Sequence, residues 1–421
     1  MPRPLLAVLA LAAVHMLVFD RGLGGDGWAG FALLESVADD GDIWLEDDHR
    51  GIVNGLVPGR DHHLVSQYPP GILVLDAAPF FAGRALGQAL PEGEIELPPV
   101  GPVPRPVFVS AAAIVLARNL AVLLGLAWTG LALIRLGYPE RTAAMAAGIA
   151  FFGGPLVFYS LVGMTHAPAF ALAALLLWLL VRQRESGSVR LAFAAGAVAG
   201  LAVLVRYDAV ALLPAALLAV SRLRSRTALL AGFGLPLLVL PFWWSASFGS
   251  WGLPSYGGDW SLSPASPWNV LFHPVHGLFL FHPALLFAAA GLVLAWRRPA
   301  ISAVGAVWFL AVAFLHGGWS EWANTGGYGQ RFLIDALPAL ALGFAEVLGR
   351  AGRAVRVGIA AAVLFGYLLF FAATGRLVEP PAPWPWPQRL GDYAPLVSDP
   401  PGPSELLDGL LRASFLLRAL T

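Results

Sequence analysis

The chain has 421 residues, 58% of them hydrophobic and only 12% charged, and its 26 basic side chains balance 26 acids to a net charge of zero. A soluble domain carries about a quarter charged residues, so a mean hydropathy of +0.71 excludes a soluble globular protein, and zero net charge leaves no basic footprint for nucleic acid. Cysteine is absent, which excludes disulfide frameworks, thiolate metal sites and cysteine nucleophiles.

The first apolar run, about 4–19, follows Arg3. A signal peptide fits its length and charge, but no small-x-small cleavage site follows, and it reads as an uncleaved first helix. Next comes a segment, 20–67, unlike the rest of the chain. It holds Asp20, Asp26, Glu35, Asp39, Asp40, Asp42, Glu46, Asp47, Asp48 and Asp61, with His49, His62 and His63 among them. For most of these residues a solvated acidic loop is explanation enough. Asp26 stands apart because Gly24-Gly25-Asp26-Gly27 makes a turn free of crowding backbone. The following Trp28, Phe31, Leu34 and Val37 have helical spacing, which predicts a short helix lying flat on the membrane with Asp26 at its beginning. Gln67-Tyr68-Pro69-Pro70-Gly71 then reads as a rigid helix start.

Further apolar runs centre on about 107–134, 142–161, 167–181, 191–205, 209–220, 227–246, 277–296, 300–315, 332–349 and 355–373. Arginines cluster in the connections holding Arg135 and Arg141, 182–190, 222–226, Arg297 and Arg298, and 350–356, which therefore read as cytoplasmic. The arginine-poor connections 158–166, 248–276 and 316–331 read as external. From outside at residue 67 to inside at Arg135 the number of crossings is odd. The run at 70–90 carries Asp76, Pro79 and Arg84, and a charge at a helix centre costs roughly 2.5–3.5 kcal/mol on insertion scales. This run is accordingly expected to be a juxtamembrane or re-entrant helix. The resulting fold is an all-α integral membrane protein of about eleven spans, with an external 20–106 loop inside a 1–374 transmembrane domain. The remainder, 375–421, is an external Pro/Trp-rich tail in which Trp384 and Trp386 suit the headgroup level and the last stretch is amphipathic.

Two further features carry chemistry. Arg331 opens an apolar run from the external side, where its planar fork suits a phosphate, although a snorkelling arginine would look the same. Arg118 lies within the 107–134 run, and an ionisable residue at that depth either serves function or pairs with an acid. His166, His273, His276 and His282 fall near external ends of runs, at spacings that match no metal motif.

These pieces, in this order, resemble the GT-C superfamily of polytopic glycosyltransferases, whose members include protein O-mannosyltransferases and the lipid A aminoarabinose transferase. The resemblance rests on the Asp26 loop with Asp39-Asp40-Gly41-Asp42, on Tyr68-Pro69-Pro70-Gly71 with Pro79, on Phe158-Tyr159-Ser160 to His166, and on Gly326-Gly327-Tyr328-Gly329-Gln330-Arg331-Phe332 with Pro338. Many relatives have proline where Gln330 stands, and the large soluble carboxyl-terminal domain of some members is absent. The resemblance implies inverting transfer of a sugar from a polyprenyl-phosphate donor to a lipid, glycan or protein acceptor, at the external face of a bacterial cytoplasmic membrane. On that analogy Asp26 is the base, and Arg331, Arg118, His166 and Tyr328 attend the donor phosphate. Glu35, Asp39, Asp40, Asp42 and Tyr68 are left for the acceptor or for the divalent cation that some relatives use. A transporter or flippase of lipid-linked sugars is the main alternative, with a non-catalytic membrane scaffold behind it.

Overall fold

The computed structural model describes residues 1–20, 22–46, 55–97, 101–252, 260–273, 276–294, 299–323 and 329–375. Asp47, Asp48, His49, Arg297, Arg298, Tyr328 and the Pro/Trp-rich tail lie outside the described residues. Helices α1 (Arg3–Phe19) and α2 (Gly25–Asp39) come first, then a hairpin of β1 (Leu56–Pro58) and β2 (Leu64–Ser66) in which Val57 faces Val65. Helix α3 (Gly71–Gln88) and a second hairpin, β3 (Glu94–Leu97) with β4 (Gly101–Pro104), lead into the 31-residue α4 (Arg105–Arg135). The rest is helical: α5 (Glu140–Phe152), α6 (Leu156–Tyr159), α7 (His166–Ser186), α8 (Val189–Val205), α9 (Leu213–Ala219), α10 (Leu223–Leu237) and α11 (Val239–Phe248). Then follow α12 (Ser266–Phe272), α13 (Leu278–Phe281), α14 (Ala284–Leu294), α15 (Pro299–Gly317), α16 (Leu337–Arg350) and α17 (Arg353–Gly375). Short 3-10 turns occupy Tyr207–Leu212, Ser320–Ala323 and Arg331–Ala336.

The chain is thus an all-α, multi-pass membrane protein. Among the described residues, five helical segments are long and apolar enough to cross a bilayer, and five shorter apolar helices accompany them. Several expected runs are broken by their own sequence. Gly153, Gly154 and Pro155 separate α5 from α6, and Pro236 precedes the break between α10 and α11. Proline lacks the N–H that would continue the ladder.

Lipid gives helices no hydrophobic reason to associate, so close packing does the work and small residues mark the contacts. A Cβ at Gly196 would stand 2.0 Å from the Leu229 carbonyl oxygen, and one at Gly232 2.1 Å from that of Phe193, so α8 and α10 touch backbone to backbone. Gly291 and Gly343 do the same for α14 and α16, each with a Cβ position 1.9 Å from a facing carbonyl oxygen. The arginine-bearing ends meet one another: Arg135 pairs with Glu185 at 2.8 Å, and Arg350 donates to the Leu294 carbonyl at 3.0 Å. Helix α7 runs about 30 Å from His166 to this end.

One expectation about the first loop changes. Helix α2 does not lie flat on a membrane surface, because every residue from Asp26 to Ser36 is buried. Trp28, Phe31 and Leu34 form the expected stripe and pack on Phe80 and Phe108, but Ala32 and Leu33 on the other side pack on Leu45 and Trp243. Helix α3 lies along the outer part of α4, with Gly87 against Pro106, Gly83 against Ser110 and Asp76 against Arg118. Its first residue, Gly71, abuts Leu204 and Val205 at the end of α8.

Candidate active site

Asp26 sits in the first turn of α2 with 3% of its surface exposed. The glycines around it do more than relax a turn. A Cβ at Gly24 would meet the Val162 carbonyl oxygen at 2.8 Å, and one at Gly27 the Gly163 carbonyl oxygen at 2.3 Å. Without side chains, α2 can dock end-on against the 162–165 turn. That docking brings the Asp26 carboxylate to Thr165, whose hydroxyl donates to Oδ2 and whose backbone N–H donates to Oδ1 at 3.3 Å. Asp26 is therefore held in a pocket, not standing free in a loop.

Arg206, between α8 and α9, is the centre of the surrounding network. Its Nη1 lies 3.8 Å from Asp26 Oδ2 and donates to Thr165 Oγ1 and His166 Nε2, each at 3.3 Å. Its Nη2 donates to Asp208 Oδ2 at 2.7 Å, and the same oxygen accepts from His316 Nε2 at 3.2 Å. Phe332 floors the cluster: His316 stacks on its ring at 4.9 Å, and the Arg206 guanidinium lies 5.7 Å from the ring centre. A planar fork with five donors is the side chain suited to bridging two carboxylates, a hydroxyl and an imidazole at once. Asp335, one turn after Arg331, is buried nearby, close enough for the charges of Asp208 and Arg206 to act on it.

Arg331 stands at the same cluster, its guanidinium 5.1 Å from the centre of the Phe332 ring. Its charge acts on His166, on His276 and on Tyr68. Burial, and next the Asp26 carboxylate, push the Tyr68 phenol above its ordinary range, against the charges of Arg331 and Arg206. Tyr68 thus lies within reach of both Asp26 and Arg331. Its ring needs Gly55, where φ is +85° and a Cβ would fall 2.1 Å from a ring carbon.

The structure brings together Asp26, His166, Tyr68 and Arg331. It does not leave Arg118 available. Arg118 is 2% exposed, donates to the Asp76 carboxylate with two nitrogens and to the Gly163 carbonyl with the third. Pairing with an acid, the other reading of a deep arginine, describes it better than phosphate binding. The remaining acids also have local duties. Asp39 pairs with Arg84, whose charge Glu35 also feels. Asp42 accepts from Ser36 Oγ and the Trp44 N–H, both at 2.9 Å. Asp40 is exposed at the end of α2. Asp39, Asp40 and Asp42 therefore do not form a cation site, and among the described residues no group of three or more His, Asp or Glu is arranged to hold a metal ion. Tyr328 lies outside the described residues.

Sequence reasoning assigned no role to Thr165, Arg206, Asp208, His316 or Asp335. The available signal was depth. Asp335 falls within the apolar run that opens at Arg331, and an acid there is a functional candidate by default. Thr165 carries no such signal.

No protein-family model matches the sequence, and no curated protein matches it significantly. Among solved structures, ArnT from Cupriavidus metallidurans in the apo state matches with a TM-score of 0.53 at 14% identity, over 99% of this chain and 75% of that one. The same protein bound to undecaprenyl phosphate matches with a TM-score of 0.51 at 14% identity, over 99% of this chain and 76% of ArnT. The described residues share the fold of ArnT.

Proposed function

We propose that this protein is a membrane glycosyltransferase that moves a sugar, with inversion, from a polyprenyl-phosphate donor to an acceptor hydroxyl on the external face of a bacterial cytoplasmic membrane. Residues 1–374 serve as its catalytic membrane domain. The fold is that of ArnT, a lipid A aminoarabinose transferase of the GT-C superfamily, one structure of which holds undecaprenyl phosphate. The observation that carries the reading is the Asp26 carboxylate, buried yet fixed between Thr165 and Arg206, with a second arginine, Arg331, close enough for its charge to act on Tyr68 and His166.

In the proposed step the acceptor O–H gives its proton to Asp26 as its oxygen bonds to C1 of the sugar. The bond from C1 to the phosphate oxygen breaks, and its electron pair leaves with the polyprenyl phosphate. A base must lie within about 2.6–3.2 Å of the proton it takes. Thr165 and Arg206 hold the carboxylate in place for that contact. The leaving phosphate gains a negative charge, and Arg331, whose charge acts on Tyr68 and His166, receives it in a site where low dielectric strengthens the interaction. His166 and Tyr68 lie beside these groups. Lipid, glycan and protein hydroxyls are all chemically competent acceptors.

The test supplies membranes containing the protein with a panel of labelled polyprenyl-phosphate sugars. Label passing to a product that no longer carries the lipid phosphate supports transfer. Label that stays on the lipid but changes leaflet would instead favour a flippase.

A further inference from the structure

Charge is divided unevenly across the site. On one side Arg206 faces two carboxylates, Asp26 at 3.8 Å and Asp208 at 2.7 Å. The charges acting on His276 come from Arg331 and His273, with no acid among them. His276, between α12 and α13, is 2% exposed, and among the described residues neither ring nitrogen has a hydrogen-bond partner. Its backbone is left-handed, with φ at +63°, a conformation uncommon for a side chain of this size. Gln330, immediately before Arg331, is 1% exposed, and its Nε2 also has no partner among the described residues. Nearly all buried polar groups find one, and strain beside unmet donors is a mark of a binding site.

The two residues are linked through a shared neighbour, Phe281. A Cβ at Gly329 would fall 2.6 Å from His282 Nε2 and 3.4 Å from Phe281 Cβ, so the 329–331 segment lies on residues 281–282. The His276 ring stacks near Phe281 with 6.2 Å between centroids at 25°.

We infer that His276 and Gln330, together with Arg331, form the seat of the lipid phosphate, in a place where, among the described residues, the charges acting on His276 are cationic and Arg206 is engaged with Asp26 and Asp208. This rests on the glycosyltransferase reading and adds to it the residues that hold the donor. An imidazole N–H and an amide N–H are neutral donors, and one guanidinium supplies charge. Such a set suits a phosphodiester with one negative charge and suits the monoester better as the bond to C1 breaks. A carboxylate at this position would repel both, whereas the acids around Arg206 leave that arginine little positive field to offer.

The experiment measures binding of undecaprenyl phosphate, with undecaprenol as the uncharged reference, to the purified full chain in detergent by ligand-induced thermal shift. The variants are His276→Asn, because asparagine tolerates the left-handed backbone, and Gln330→Met, which keeps the volume and removes the amide. Asp26→Asn is the comparison. The expected result is binding of the phosphate but not the alcohol by wild type and Asp26→Asn, with affinity at least tenfold weaker in His276→Asn and Gln330→Met. Equal affinity in wild type and both variants overturns the seat while leaving sugar transfer standing. Wild type that does not distinguish phosphate from alcohol overturns the functional reading and the seat with it.

Discussion

The Asp26 carboxylate stands 3.8 Å from the Arg206 guanidinium, with 3% and 8% of their side chains exposed. They come from the start of α2 and the end of α8, so the contact exists only once the first loop has docked on the helical body. An ionic contact this well sealed is little screened by salt.

Arg206 bridges two acids, a hydroxyl and an imidazole, which a lysine ammonium cannot reproduce with a single point charge. Arg206→Lys should lower kcat about 100-fold, the order of loss for a catalytic group displaced by an ångström. The KM for the lipid donor should change little, because the phosphate binds elsewhere. Steady-state kinetics with varied donor check this; a rise in KM at constant kcat would move the phosphate to Arg206.

The Arg118–Asp76 pair is buried at 2% and 4% side-chain exposure. Removing one partner strands the other charge, which costs roughly 3–5 kcal/mol, whereas replacing both with apolar groups is often neutral. Arg118→Met should therefore reduce the thermal midpoint and the yield of folded protein. The double change Arg118→Met with Asp76→Leu should recover both, along with activity. A stable but inactive double variant would return Arg118 to the catalytic machinery.

Gly27 faces the Gly163 carbonyl oxygen, 2.3 Å from where a Cβ would stand, and Arg118 Nη1 at 2.9 Å. Gly27→Ala should push α2 outward and carry Asp26 with it, abolishing detectable transfer and lowering the thermal midpoint. Gly234→Ala, where nothing lies within 4 Å of the added carbon, should leave both unchanged. Unequal midpoints with equal activities would show that α2 docking does not position the site.

Burial, followed by the charges of Arg331 and His273, pushes His276 from 6.5 down to about 4. Between those values the unfolded chain binds a proton that the folded chain refuses. Stability therefore falls as pH drops from 6.5 toward 4. His276→Asn should flatten part of that fall, read as the apparent midpoint of the purified protein between pH 7 and 4.5. Parallel curves for variant and wild type would contradict it.

Much of the architecture was legible in the chain. Each apolar run holds a helix, because a span must satisfy its own backbone and can do so only with apolar length. Asp26 was marked by the glycines around it and Arg331 by its place at the head of a run. What could not be read was which charges meet. Arg118 lies inside one apolar run and Arg206 at the end of another, and only packing decides that one meets Asp76 and the other Asp26. The stripe of Trp28, Phe31 and Leu34 was correctly seen as apolar but assigned to lipid. Periodicity reveals a buried face without revealing what covers it, and here α3 and α4 do.

The central claim is that Asp26 takes the acceptor proton. General base catalysis contributes typically about 10²–10⁴-fold, and Asp26→Asn removes the base at constant size. The decisive measurement compares the purified wild-type protein and this variant for sugar transfer from a labelled polyprenyl-phosphate donor, with undecaprenyl phosphate binding measured alongside. Transfer reduced by at least 100-fold at unchanged lipid affinity is the predicted result. Transfer at the wild-type rate would mean that another group accepts the proton and that the Asp26 pocket has a different purpose.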